Sequence, residues 1–76
     1  MKRVPERSPG VFVIFDSETK TFTVKEDDDI LMGLRSEWWK KNFWHFSWFV
    51  TDPPEYRFEL LKKLEEKSYD ELWELD

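Results

Sequence analysis

A chain of 76 residues has material for one small domain, which excludes catalytic architectures built on a large sheet, a barrel or two lobes. Twelve Lys and Arg against seventeen Asp and Glu leave a net charge of -5, and 38% charged residues would ordinarily push so short a chain toward disorder. Seven Phe, five Trp and two Tyr argue instead for a folded core, because each such ring buries roughly 150–250 Å² when packed.

Residues 1–9 carry Lys2, Arg3 and Arg7 with two prolines and no apolar periodicity, which reads as a flexible N-terminal arm ahead of a single α+β mini-domain over 10–76. The start has no apolar run before Pro5, so a signal peptide is not expected, and no stretch nears the roughly 20 apolar residues of a membrane span. Val11 to Phe15 is β-branched and aromatic, and Thr21 to Lys25 alternates polar with apolar, so the two form a hairpin across the polar stretch from Asp16 to Lys20. Phe22 and Val24 face its core, since the other side of that strand offers only Thr21, Thr23 and Lys25.

Glu26 to Asp29 supplies carboxylates ahead of Ile30, Leu31, Met32 and Leu34, which predicts a short helix over 29–36. Ser36 either lies within it or caps a second turn carrying Trp38 and Trp39, with Lys40 and Lys41 at the favourable C-terminal end. For residues 42–50 a helix would leave Trp44 and Trp48 opposite the remaining rings. A strand is preferred, with Trp44, Phe46, Trp48 and Val50 on one face and Phe43, His45, Ser47 and Phe49 on the other. Asp52 suits the N-cap and Pro53 the first turn of a helix over 53–66, whose apolar stripe is Tyr56, Leu60, Leu61 and Leu64. Ser68 and Glu71 have capping-box spacing, so a last helix over 69–75 turns Tyr69, Leu72 and Trp73 to one side. The expected architecture is an antiparallel hairpin plus a third aromatic strand, with the helices against one face of the sheet.

Chemistry is sparse. With one histidine and no cysteine, a nucleophile, base and orienting group would have to be gathered from scattered Ser and carboxylates on a chain with little concavity, so no catalytic residues and no cofactor are expected. His45 beside Ser47 reads as part of an aromatic strand before it reads as a base and hydroxyl pair. The acidic run Glu26 to Asp29 lacks the alternating spacing and glycine of a calcium loop, so a capping turn is favoured over a metal site. A cysteine-free chain gives no sign of an oxidising compartment, and a cytoplasmic location is the default.

The anomaly is Trp38, Trp39, Phe43, Trp44, Phe46, Trp48 and Phe49, seven of fourteen aromatics within twelve residues. Both faces of the segment are aromatic. Either the fold covers both, or one face meets a partner protein, as tryptophan does at interface hot spots. The partner-binding set read from this is Trp38, Trp39, Trp44, Trp48 and Phe49 as anchors, with Lys40 and Lys41 as rim charges, on a chain that is a monomer when free. Two alternatives use the same residues or the acidic C-terminal third: tryptophans stacking on nucleic-acid bases, or a phosphate-mimicking face toward a nucleic-acid-processing protein.

Asn42-Phe43-Trp44-His45-Phe46-Ser47-Trp48-Phe49 resembles the peptide by which ligands dock on replicative sliding clamps, with Asn42 in the glutamine position, His45 in the aliphatic one and Trp48-Phe49 as the aromatic pair. The chain lacks Ala and Gln and is rich in Glu and Lys, as hyperthermophile proteins are. In size, acidity and composition it resembles the small archaeal inhibitors of the sliding clamp (PCNA) found in Thermococcales. That resemblance implies an inhibitor that occupies the clamp's docking site and blocks clamp-dependent DNA replication.

Overall fold

The computed structural model describes residues 4–43, 45–51, 53 and 55–74. Strands β1 (Gly10–Asp16) and β2 (Thr21–Asp27) form the expected hairpin, closed by Asp16 Oδ1 accepting from the Glu18 and Thr19 N–H groups and by Lys20 at a φ of 55°. Strand β3 (His45–Val50) pairs antiparallel with the other side of β1, giving the order β2-β1-β3. The chain is thus a small α+β domain, a three-stranded antiparallel sheet with three helices.

Because β2 and β3 both run antiparallel to β1, they are parallel to each other, and the chain between them must travel back across a sheet face. Helix α1 (Ile30–Lys40) makes that return. Eleven residues rise about 16 Å, close to the about 20 Å length of a six- or seven-residue strand. This is why the helix continues through Ser36 beyond the expected end at 36. Asp29 caps it by accepting from the Met32 N–H, and Asp27 in turn accepts from the Asp29 N–H.

The sheet is covered on both sides, which corrects the expectation of helices on one face. Register puts Phe12 opposite Trp48 and Ile14 opposite Phe46, and this side packs with Ile30 and Leu34 of α1, with Phe43 and with Val4. On the other side Val11, Val13 and Phe15, with Phe22, Val24 and Phe49, pack against Leu60, Leu61 and Leu64 of α2 (Tyr56–Glu65) and Tyr69 and Leu72 of α3 (Tyr69–Glu74). A three-stranded sheet whose central strand reads Val-Phe-Val-Ile-Phe has apolar side chains on both faces, so a helix on one side only would leave Phe12 and Trp48 in water. Residues 4–9 also make contacts: Ser8 C=O accepts from the Ile30 N–H at 2.9 Å and Pro9 C=O from the Thr51 N–H at 3.0 Å.

α2 begins at Tyr56, with Glu55 in the N-cap position and no side-chain cap; the Asp52 cap lies outside the described residues. Tyr56, expected in the apolar stripe, is exposed, and Arg57 takes the inward position. There it pairs with Glu26 and Asp28, tying α2 to the end of β2. Ser68 and Glu71 form the expected box, the Ser68 hydroxyl accepting from the Glu71 N–H and the Glu71 carboxylate accepting from the Ser68 N–H. Tyr69 and Trp73 both meet the Phe15 ring edge to face.

Candidate functional site

The residues expected to form one aromatic patch are distributed by the fold over separate surfaces. In β3 successive side chains alternate, so Trp48 turns to the α1 side and packs with Phe12, Ile30 and Leu34, whereas Phe49 turns to the α2 and α3 side. Trp38 is half-buried and meets Phe43 edge to face, at 5.6 Å between centroids, and Phe43 meets Phe46 at 5.8 Å. Trp44 lies outside the described residues. Trp39 alone of the described tryptophans in this segment is wholly outward, at 86% exposure.

Its position follows from the continuity of α1. At 100° per residue Ile30, Gly33, Leu34 and Glu37 share the side toward the sheet, and Met32, Arg35, Ser36 and Trp39 share the opposite side. Met32, 56% exposed, sits seven residues before Trp39 and two turns along the same ridge. Reading α1 only to residue 36 hides this pairing; a wheel drawn through Lys40 reveals it. Trp39 is legible in the sequence as an anchor, whereas Met32 joins it only because α1 runs unbroken to Lys40.

The charges at this end of α1 are partly engaged. Lys25 of β2 donates to Glu37, and Lys40 approaches the same carboxylate at 3.6 Å. The hydrogen bond from Lys25 holds the Glu37 carboxyl below the usual carboxylate range against the opposing effect of burial. Lys41 pairs with Asp16 at 3.0 Å, and that hydrogen bond, with the Thr19 N–H, lowers the Asp16 carboxyl likewise. Arg35 is exposed, with no ion pair among the described residues. The outward ridge of α1 therefore carries two apolar anchors and a cationic rim of Arg35 and Lys40, on a chain that is acidic overall.

A groove of about 490 Å³ lies between the end of α1 and the hairpin, lined by Ile14, Thr23, Phe43, Asn42 and His45 and crossed by the Lys25–Glu37 and Lys41–Asp16 pairs. These four charged groups are neutralised in pairs, whereas Glu18 lines the groove with no ion pair among the described residues. The His45 ring rests on Trp73 at 4.7 Å, and the Ser47 hydroxyl is buried without a hydrogen-bond partner, so the two do not form a base and hydroxyl pair. The acidic run is divided among structural tasks: Glu26 and Asp28 hold Arg57, Asp29 caps α1, and Asp27 accepts from the Asp29 N–H. Among the described residues no three histidine, aspartate or glutamate side chains converge for a metal ion, and no helix is long and apolar enough to cross a membrane.

No protein-family model matches the chain, and neither the curated proteins nor the solved structures give a match.

Proposed function

We propose that this chain is a non-enzymatic protein-binding module that inhibits its partner by laying the outward ridge of α1 into a docking groove. The observation that carries the reading is Trp39, 86% exposed, on one ridge with Met32. A helix docking in a groove is read through anchors at i and i+7, and an exposed Trp beside Arg is the composition of an interface hot spot. Arg35 and Lys40 suit a groove whose rim is acidic.

The replicative sliding clamp is the first partner to test, because residues 42–49 resemble its ligands. Within the fold Trp48 and Phe49 lie on opposite sheet faces and cannot enter one pocket together, so the surface offered to the clamp is the α1 ridge. The experiment is calorimetric titration of purified clamp with the wild type and with Trp39→Ala and Met32→Ala. Binding weakened about 10-fold or more by Trp39→Ala, with an unchanged melting temperature, supports the reading. Clamp that does not bind removes that partner. A nuclease-treated lysate of the source organism, captured on wild-type and Trp39→Ala beads, then asks whether any protein depends on Trp39. Binding to a single-stranded oligonucleotide that falls steeply with salt, with no Trp39-dependent protein, overturns the reading in favour of base stacking.

A further inference from the structure

We propose that the free edge of β3 pairs with β3 of a second copy of this chain, forming a six-stranded sheet across a two-fold axis. The inference is independent of the α1 ridge and rests on the hydrogen-bond phase of the sheet. The Thr51 N–H donates to the Pro9 C=O, and these two residues continue the β1–β3 register of Gly10 with Val50. In an antiparallel ladder residues alternate between pairs that exchange hydrogen bonds and pairs that do not. Thr51, Phe49, Ser47 and His45 therefore turn their backbone groups toward β1, and Phe46, Trp48 and Val50 turn theirs to the outside. No hydrogen bond to those outward groups is present among the described residues.

The two edges of the sheet are treated differently. On β2, Lys25, Glu26 and Asp27 lie along the strand, Lys25 is bound to α1 through Glu37, and Glu26 is bound to α2 through Arg57. These are the devices that keep an edge from pairing. His-Phe-Ser-Trp-Phe-Val of β3 has no Lys, Asp, Glu, Pro or Gly, and Val50 is 48% exposed.

A second copy is the occupant that the ladder selects. Three outward residues with Trp48 at the centre are self-complementary about a two-fold axis through Trp48: Trp48 faces its own copy and Phe46 faces Val50 of the second copy, with about six inter-chain hydrogen bonds. Opposed residues then keep to the same face, as the pleat requires. At a net charge of -5 two copies repel, and a seam made only of the two β3 strands places no like charges directly opposite one another. An axis normal to the sheet also leaves both α1 ridges on one side.

Sedimentation equilibrium and amide exchange by NMR test this on the full chain. The wild-type mass should rise from 9.4 kDa toward twice that value as concentration is raised to about 1 mM, a dissociation constant near which corresponds to about -4 kcal/mol. Over the same range the amides of Phe46, Trp48 and Val50 should slow in exchange, while those of Ser47 and Phe49 stay protected throughout. Val50→Lys should remain at the monomer mass with its fold intact, and His45→Lys provides a second edge charge if the first variant unfolds. A wild type that stays at 9.4 kDa, an edge variant that associates as readily as the wild type, or outward amides whose exchange is independent of concentration would each overturn the proposal.

Discussion

Gly33→Ala probes how closely α1 lies on the sheet. In an exposed helix this change stabilises by about 1 kcal/mol, because alanine loses less backbone freedom on folding. At Gly33 an added Cβ would stand 2.7 Å from Phe12 Cε1 and 3.1 Å from both Phe12 Cζ and Asp27 Oδ2. Carbon atoms settle at about 3.5–4.0 Å, so helix or ring would have to retreat by about 1 Å. Phe12 is 2% exposed, held by Ile30 and Leu34, and has no route to solvent. Overpacking of this kind costs about 1–3 kcal/mol, which against a gain of about 1 leaves a net loss of about 0–2 kcal/mol. In a domain this size 1 kcal/mol moves the melting temperature by about 4–8 °C, within reach of a thermal melt followed by circular dichroism. The companion variant is Phe12→Leu, which removes the ring atoms that the new Cβ would meet. In that background Gly33→Ala should stabilise, and the coupling in the double-mutant cycle should be about 1–3 kcal/mol. A Gly33→Ala variant that melts several degrees above wild type, with effects that add, would refute the close approach of α1 to Phe12.

Thr51 is 1% exposed and its hydroxyl has no hydrogen-bond partner, so Thr51→Val should gain about 1 kcal/mol in urea unfolding, and a loss of that size would mean that the hydroxyl is satisfied in solution. Ser68→Ala removes the cap of α3 and should cost about 1 kcal/mol, with amide exchange accelerating first at Glu71 and Leu72. Acid should separate the wild type from Glu37→Gln. Lys25 lowers the folded-state pKa of Glu37, so the ionised carboxylate contributes stability above its unfolded value of about 4.3, and that contribution is lost as pH falls through the lower folded value. The wild-type melting temperature should therefore fall more steeply between about pH 5 and pH 3 than that of Glu37→Gln, and parallel slopes would show that the pair contributes nothing.

Local patterns were legible in the sequence because their causes are local. The hairpin follows from β-branched and aromatic runs around a polar turn, and the inward side of β2 from strict alternation at Phe22 and Val24. The Ser68–Glu71 box and the Asp29 cap depend on side chains within three residues of the amides that they serve. The alternation of β3 was likewise present in its two sets of residues, and with it the knowledge that both faces of that segment were apolar.

What covers those faces was decided only by topology. With β1 between two strands that are parallel to each other, the return from β2 to β3 must cross a sheet face, and this carries α1 over Phe12 and Trp48. The same crossing fixes the length of α1 beyond Ser36 and so turns Trp39 outward on one ridge with Met32, while Trp48, of the same residue type nine positions later, is half-buried against Phe12, Ile30 and Leu34. Burial of a tryptophan is settled by which element lies opposite it. A sequence states that element's composition and not its place, because placement depends on strand order and crossover, which join residues distant along the chain.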